Sequence, residues 1–431
     1  MQPSPSLTRI VARVGRRLLP FLLLMYVLAF LDRANLGFAK AAFQADTGLS
    51  DAAYAMGASI FFLGYAVLEV PSNLLLHRLG ARVWLSRIMV SWGLISAGMM
   101  FVHTETAFYV MRLALGAAEA GFFPGAILYL TYWFPEFARG RAMGVFYFGA
   151  PISFILGGPL SGALLEFDGL SGLQGWQWMF LIEGLLAAVV GLVAFRYLDN
   201  RPADAGWLSA DEKGELCAAL DAEEAARGSQ VTHSFLASLR SPRLFHLAVI
   251  YGLIQASVYG VVFFLPTQVA GLIGKSVGFE VGIVTAIPWI FAIAAAYLLP
   301  RLSDATGKRR AVAAVALALA GVGIWASTTA ASPPLALAAL CLAAAGFIGV
   351  QPVFWSLPSR VLSGAAAAGG FAVINSFGAL GGFIAPNLRA WAEKAFAVPA
   401  AGLQALAALT LLGAVLILLL RDPSSAGDET P

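Results

Sequence analysis

Charged side chains are scarce and unevenly placed in this chain, and their distribution is the strongest constraint on its fold. The chain has 431 residues, of which 59% are hydrophobic and 12% are charged. That is about half the ~25% of charged residues in a typical soluble domain. The charges concentrate in the segment 199–243, and long apolar stretches lie on either side of it. We therefore predict a polytopic membrane protein with one polar loop, not a series of soluble domains.

Twelve apolar stretches are long enough to cross a bilayer, since a helical span needs about 20 apolar residues. They are spans one to twelve: 18–40, 52–76, 83–102, 107–130, 141–165, 176–198, 244–269, 278–299, 311–330, 333–357, 366–388 and 399–420. The first follows four arginines and could be taken for a signal peptide. Because eleven spans follow it, we interpret it as a retained helix.

Lysine and arginine predict the orientation. With the N-terminus inside, 21 of the 27 basic residues fall in cytoplasmic segments, as the positive-inside rule requires. We expect a multi-pass protein of the plasma (inner) membrane with both termini in the cytoplasm. The residues Asp211, Glu212, Lys213 and Glu215 suit a short surface helix within a cytoplasmic linker loop. A net charge of +3 argues against nucleic acid as a partner, and nothing in the sequence requires more than a monomer in the lipid bilayer.

Two landmarks recur at one offset and indicate an internal repeat. Gly80 and Gly307 lie in the loops after spans two and eight, 227 residues apart, and Pro159 and Pro386 share that offset. The fold class predicted is all-α, with twelve transmembrane helices in two pseudo-symmetric six-helix bundles. The predicted domains are an N-terminal cytoplasmic segment (1–17), an N-terminal bundle (18–198), the linker (199–243), a C-terminal bundle (244–420) and a cytoplasmic tail (421–431).

Charged residues inside spans cost about 2.5–3.5 kcal/mol each on insertion scales and are functional candidates. Arg112 and Glu119 in span four lie on one helical face with Gly116, at i, i+4 and i+7. We expect this stripe to face a cavity, where Glu119 carries a proton and Arg112 binds an anion or a neighbouring carboxylate. The alternative is a buried ion pair that fixes helix packing.

Two charges in span one are adjacent and point about 100° apart. We expect Arg33 to face the central cavity and bind a substrate carboxylate, because its planar guanidinium matches a carboxylate. Asp32 should then point toward span four, near Arg112 or Glu119, unless it forms only a structural salt bridge there.

Span two and the later spans supply further polar candidates. Tyr65 is deep enough to line a cavity, whereas Glu69 lies toward the cytoplasmic end, where gating is expected. Glu183 in span six is interpreted as structural. In the second half, Trp355 and Asn375 are expected to contact substrate. The remaining polar residues are expected to form hydrogen bonds between helices; they are Tyr251, Gln255, Tyr259, Gln351, Ser356 and Ser376.

Several chemistries have no support in the sequence. Two cysteines and four scattered histidines suit neither a disulfide scaffold nor a metal site. No glycine-rich phosphate loop with its lysine is present, so ATP-driven pumping has no motif. A membrane enzyme or receptor would need a catalytic constellation or an output domain. We therefore predict a transporter without cofactor or metal, driven by an ion gradient.

Several motifs together resemble the major facilitator superfamily, and within it the anion:cation symporter family on its phthalate/tartrate permease-like side. The matching stretches are 31–35 (LDRAN), 62–65 (FLGY), 69–73 (EVPSN), 112–124 (RLALGAAEAGFFP), 132–135 (YWFP), 139–142 (RGRA), 180–184 (FLIEG), 354–358 (FWSLP), 366–375, 381–383 (GGF) and the loop 304–310. They extend over nearly the whole chain.

This resemblance implies alternating access and import of organic anions, often with protons. It implies Asp32 and Glu119 as proton carriers, Arg33 as the carboxylate ligand and Arg112 as its coupling to the carboxylates. Tyr65, Trp355 and Asn375 match positions expected to line the substrate site. Glu69, Asp304 and Arg309 are the expected gating residues. His77 replaces an acidic residue usual in the first-half loop, which should weaken the gating charges there.

The function predicted is import of a small organic anion, a carboxylate, by proton symport. The alternative is a sodium-coupled symporter, or an organic-anion exchanger or exporter of the same fold. The sequence does not choose among aromatic carboxylates, tartrate-like diacids and sugar acids.

Overall fold

The computed structural model describes residues 4–227, 242–358 and 364–420, and no residue in these ranges is in a β-strand. Their α-helices are α1 (Pro5–Thr47), α2 (Asp51–Leu79), α3 (Ala81–Gly98), α4 (Glu105–Glu119), α5 (Phe122–Trp133), α6 (Glu136–Tyr147), α7 (Gly149–Leu165), α8 (Gly175–Tyr197), α9 (Ala210–Arg227), α10 (Pro242–Val262), α11 (Leu265–Ile273), α12 (Phe279–Thr306), α13 (Arg309–Thr329), α14 (Pro333–Trp355), α15 (Gly364–Phe396) and α16 (Ala401–Leu418). The predicted all-α membrane fold is confirmed.

Eleven helical stretches of the described ranges are long and apolar enough to cross a membrane. The predicted eleventh span, 366–388, lies in α15, whose 33 residues extend about 50 Å at 1.5 Å per residue. Three of the spans predicted as single helices are instead built from two: α4 with α5, α6 with α7, and α10 with α11.

The break in span four has a local cause. Gly121 has a φ of 84°, which is left-handed, and a Cβ at this position would lie 2.3 Å from the Ser72 hydroxyl oxygen. Glycine meets both conditions because it has no Cβ. Non-helical backbone at membrane depth is tolerated where protein covers it, and Ala120 is fully buried. The break makes Glu119 the last residue of α4.

Helix packing repeats between the two halves of the chain. The close pairs α3–α8, α1–α7 and α2–α4 recur as α13–α16, α10–α15 and α12–α14. The two halves meet mainly through α2–α15 and α7–α12. These two interface pairs are related by the internal repeat, since α2 corresponds to α12 and α7 corresponds to α15. This pseudo-symmetry agrees with the 227-residue offset in the sequence.

Buried apolar side chains form two cores that largely follow the two halves of the chain. The proposed bundle limits of 18–198 and 244–420 remain a prediction. Residues 5–17, assigned to a separate N-terminal segment, are continuous with the first span in α1. The predicted tail, 421–431, lies outside the described residues.

The first part of the polar loop packs on the N-terminal half and is not a solvated linker. It contains the expected surface helix, as α9. Glu212 of α9 pairs with Arg13 of α1 at 2.9 Å, and Glu223 pairs with Arg139 of α6 at 3.1 Å. Leu216 of α9 is fully buried. We call this side of the molecule, where α1 begins, the α9 end.

At the opposite end the two halves touch through backbone. A Cβ on Gly158 of α7 would lie 2.4 Å from the carbonyl oxygen of Gly282 in α12. One turn away, Gly162 approaches the Gly278 carbonyl as closely. Tyr54 of α2 adds a hydrogen bond from its hydroxyl to the Phe263 carbonyl oxygen at 3.4 Å. We call this region the closed end. The glycines permit the close contact between the two backbones because they have no Cβ.

We predict that Gly158→Ala shifts the protein toward a state open at the closed end, because the new methyl group cannot fit against the Gly282 carbonyl. The measurement is the distance between spin labels on Thr106→Cys and Ser276→Cys, two exposed positions at this end, with Cys217 and Cys341 replaced by serine. A longer-distance population is expected.

The matched control is Gly271→Ala, at the same end, where a Cβ would have no atom within 4 Å. It should leave the distance distribution unchanged. Identical distributions for Gly158→Ala and this control would contradict the role of the glycine contact.

Candidate functional site

A cavity of about 610 Å³ lies between the two halves of the protein, within the size range of small-molecule sites. Helices α1, α2 and α4–α7 contribute to its wall from the first half. Helices α10, α12, α14 and α15 contribute from the second half. Both halves therefore contact anything bound there.

The cavity extends to the α9 end. Gly140 and Gly144 of α6 line it together with Pro300 of α12, and a Cβ on either glycine would meet no atom within 4 Å. The glycine contacts of the closed end seal the other side. The conformation thus has one open and one closed entrance.

A buried ion pair lies in the cavity wall. Arg33 of α1 donates from Nε and Nη2 to Oε1 of Glu119, at 3.0 and 2.5 Å. Its Nη1 donates to the hydroxyl of Tyr259 in α10, at 2.8 Å. Arg33 is 9% exposed and Glu119 1% exposed. The guanidinium is thereby held by both halves of the protein.

Aromatic rings enclose this ion pair. The rings of Phe30, Phe61 and Tyr65 have their centroids 5.0–5.3 Å from the Arg33 guanidinium carbon, within cation–π range. Among the described residues that line the cavity, Arg33 is the only cation and Glu119 the only anion. Oxygen Oε2 of Glu119 has no hydrogen-bond partner among the described residues. A bound carboxylate would therefore compete with Glu119 for the guanidinium.

Asp32 has its polar contacts outside the cavity. It is buried but does not line the cavity, and its Oδ1 accepts a hydrogen bond from Ser96 of α3. Its electrostatic interactions with Arg112 and Glu119 agree with the expected position near span four. The salt bridge between spans one and four does exist, but Arg33 makes it. The 100° rotation between neighbouring residues brings Arg33 to α4 and turns Asp32 toward α3.

Arg112 also lies outside the cavity in this conformation. It is 1% exposed, and its Nε donates to the Gly57 carbonyl at 3.2 Å. Its guanidinium is 5.0 Å from the Phe61 ring. Arg112 acts on the site only through its electrostatic interactions with Asp32 and Glu119, and no direct contact with a substrate in this cavity is available to it.

The three neutral candidates do line the cavity: Tyr65, Trp355 and Asn375. Trp355 packs edge-on against Tyr251 at 4.8 Å. Asn375 donates from Nδ2 to Oε1 of Glu69 at 2.7 Å, which joins α15 to α2 across the halves.

The other two gating candidates form an ion pair within the second half. Asp304 and Arg309 lie 3.0 Å apart at the turn after α12, at the α9 end. The Asp304 side chain is 69% exposed and that of Arg309 is 26% exposed. This pair does not bridge the two halves, unlike Glu69 with Asn375.

Several cavity residues were not expected to contact substrate. Tyr251, Gln255, Tyr259 and Gln351 all line the cavity, and Oε1 of Gln255 has no hydrogen-bond partner among the described residues. The signal that could have identified three of them is their i, i+4, i+8 spacing in span seven. One helix face carries all three.

The two aromatic residues before Arg33 also line the cavity. Tyr26 and Phe30 precede it at helical spacing on the same face of α1. Because Arg33 was predicted to face the cavity, the same helical spacing could have predicted these two residues as well. The lining is mainly apolar and aromatic, with a few polar groups that converge on one region. Such a wall binds a small organic molecule and orients it through few hydrogen bonds.

Comparison with known proteins identifies the family. The model of the Major Facilitator Superfamily matches residues 22–386. The chain is 52% identical to "Inner membrane transport protein RhmT" of Escherichia coli (strain K12), over 97% of each chain. It is 44% identical to a "Putative tartrate transporter" of Agrobacterium vitis, over 98% of each.

A solved structure has the same fold. A bacterial homologue of the human lysosomal transporter Spinster, in an inward-facing and occupied conformation, superposes with a TM-score of 0.76 at 18% identity. The match covers 93% of this chain and 96% of the other. The chain therefore belongs to the Major Facilitator Superfamily, and it is a multi-pass membrane transporter and not an enzyme.

Proposed function

We propose that this transporter imports a small organic carboxylate together with protons. The observation that carries the proposal is the Arg33–Glu119 pair in the cavity wall. Among the described residues, the cavity wall contains one guanidinium, and the Glu119 carboxylate is bound to it. A substrate carboxylate must displace Glu119 to reach Arg33.

Displacement couples the substrate to a proton. Once separated from Arg33, the buried Glu119 carboxylate would carry an uncompensated charge, which costs several kcal/mol in a low-dielectric site. Protonation of Glu119 removes that cost, and the bound anion then neutralises Arg33. Substrate and proton therefore bind more favourably together than separately, which is the thermodynamic requirement of symport.

The proposed orientation agrees with import. The bias of basic residues supports a cytoplasmic location for both termini and the 199–243 loop. In this proposal the α9 end faces inward. The cavity is then open to the cytoplasm, as in the last step of import. A relative at 52% identity is named an inner membrane transport protein, which supports the plasma (inner) membrane as the location.

The driving force depends on stoichiometry. One charge that crosses about 100 mV gains about 2.3 kcal/mol, or roughly 50-fold accumulation. A monoanion with one proton is electroneutral and uses only the pH gradient. Asp32 is the proposed carrier of a second proton, which would allow the membrane potential to contribute. Arg112 is the proposed electrostatic link between the two carboxyl groups.

Neutral groups in the second half suit a hydroxylated acid. Gln255, Gln351 and Asn375 line the cavity near the aromatic residues, and amides can donate to or accept from hydroxyl groups. A relative named as a tartrate transporter supports this substrate class over a purely aromatic acid. Glu69, Asp304 and Arg309 remain the proposed gating residues.

Two alternatives keep the same fold. Sodium in place of protons would leave Glu119 ionised and require the cation to compensate its charge. Exchange or export of anions would need no net proton movement. Each predicts a different result in the following experiment.

We predict that Glu119→Gln abolishes substrate-driven proton uptake in proteoliposomes with a pH dye inside, screened against a panel of hydroxy and aromatic acids. The amide cannot carry a proton, whereas it leaves Arg33 free for substrate. Counterflow of labelled substrate, which needs no net proton movement, should persist.

Glu105→Gln is the matched control, because this exposed residue lies outside the cavity; it should behave like wild type. Substrate entry without acidification in wild type would overturn the proton coupling. Stimulation by sodium would favour sodium symport, and uptake only against internal anion would favour exchange.

We predict that Tyr259→Phe raises the KM for substrate about tenfold with little change in kcat. Its hydroxyl accepts from Arg33, and a hydrogen bond to a charged group contributes about 1.5–3 kcal/mol, where 1.4 kcal/mol is a factor of ten. Tyr147→Phe removes a hydroxyl from the same cavity without touching Arg33 and serves as the comparison. Equal effects of the two variants on the KM would show that orientation of Arg33 is not the cause.

A further inference from the structure

A second set of buried polar groups lies within the first half, outside the cavity. Asp32, Asn35 and Glu183 are 0–4% exposed, and none of them lines the cavity. Oδ2 of Asp32, both amide atoms of Asn35 and Oε2 of Glu183 have no hydrogen-bond partner among the described residues. Such an accumulation of unpartnered buried groups requires an explanation.

These groups converge from three helices. Glu183 of α8 accepts a hydrogen bond on Oε1 from Ser161 of α7, at 2.7 Å. Asn35 follows Asp32 by about one turn of α1, so the two share a face. The Asn35 side chain is within reach of both carboxyl groups, as a potential hydrogen-bond donor to each, and it therefore lies between them.

We propose that Asp32, Asn35 and Glu183 form a proton-relay site in the first half, in which Glu183 is a third proton carrier of the transport cycle. The inference rests on the proposed proton coupling and extends it to a residue interpreted as structural from the sequence.

Charge balance supports a proton at this site. The groups that act on Glu183 are Ser161, Asn35 and Asp32, with no cation among them. An ionised Glu183 in such a site would be a buried charge without a compensating cation, which is costly. Asp32 interacts with two cations, Arg112 and Arg33. In the proposed resting state Asp32 therefore carries the charge and Glu183 holds the proton.

A metal cation fits less well. Sodium sites in transporters use backbone carbonyls freed by broken helices. Helices α1 and α8 are continuous through this region, so their carbonyls remain in helical hydrogen bonds. The groups that α1 and α8 offer at the site are therefore side-chain atoms, which are sufficient for a proton.

The position of the site gives the relay a direction. Ser161 precedes Gly162, which contacts the second half at the closed end, so Glu183 lies on that side. Asp32 adjoins Arg33 of the cavity. In the proposed step, the proton on Oε2 of Glu183 passes through one water beside Asn35 to Oδ2 of Asp32. Glu183 becomes ionised and Asp32 becomes neutral, while the water gives up one proton and receives another. A proton from the side of the closed end then restores Glu183 and completes the relay.

Infrared difference spectroscopy of the purified protein in lipid tests the site without transport. Wild type, titrated with pH in the absence of substrate, should show a protonated-carboxyl band that shifts in D₂O. Glu183→Gln should remove it, and Asp32→Asn should change its titration midpoint. Glu105→Gln should leave it intact. A spectrum of Glu183→Gln that matches wild type would overturn the proposal, as would a band that responds to sodium and not to pH.

Transport then tests the role in coupling. Glu183→Gln should retain counterflow and lower the ratio of protons to substrate, whereas Glu183→Asp should restore that ratio. An unchanged ratio in Glu183→Gln overturns the relay. If wild type moves no protons, the proposed symport fails, and the infrared result alone then decides whether the site exists.

A milder variant covers the case in which Glu183→Gln does not fold. Ser161→Ala removes the hydrogen bond to Oε1 and keeps the carboxyl group. It should shift the titration midpoint of the infrared band. An unshifted midpoint would count against the site.

Discussion

The buried pair of Arg33 and Glu119 is the interaction on which the arrangement of the site depends. Two opposite charges lie in the wall of an apolar cavity, where either alone would be costly. The break after Glu119 ends α4 at this residue, and the aromatic rings around Arg33 complete the enclosure. Tyr259 then ties the pair to the opposite half. A helix break, an aromatic wall and a contact between the two halves therefore meet at one ion pair.

Contacts at the two ends of the molecule differ in kind. At the closed end, glycines of α7 and α12 bring backbone against backbone, so the halves fit together with little side-chain freedom. Around the cavity, the halves are joined by polar side chains such as Asn375 with Glu69. Packed interfaces of the first kind are bistable and do not deform gradually. The polar contacts can exchange partners at modest cost. This combination suits a rigid-body movement of two halves about a site whose partners change.

Most of the fold and part of the site could be predicted from the sequence. Charge depletion and span length reveal the helices because the bilayer forces every span to be long and apolar. Periodicity assigns residues to a face, which is why Arg33, Tyr65 and Asn375 lie where expected. It cannot say which helix that face meets, because neighbours are chosen by tertiary packing. The hydrogen bond of Asp32 to Ser96 of α3 was thus not predicted, nor was the break in span four at the left-handed Gly121.

Under the proposed coupling, the charge of the site decides which forms of the carrier can reorient. The empty carrier holds Arg33 against Glu119 and is neutral there. The fully loaded carrier holds Arg33 against the substrate carboxylate beside a protonated Glu119, and it is neutral as well. Substrate without a proton would enclose a net negative charge, and a proton without substrate a net positive one. Both partly loaded forms must expose that charge to water or lose it before the cavity can close. The same cavity that binds the anion therefore opposes leakage of the substrate alone or the proton alone, and no separate gate is needed for this.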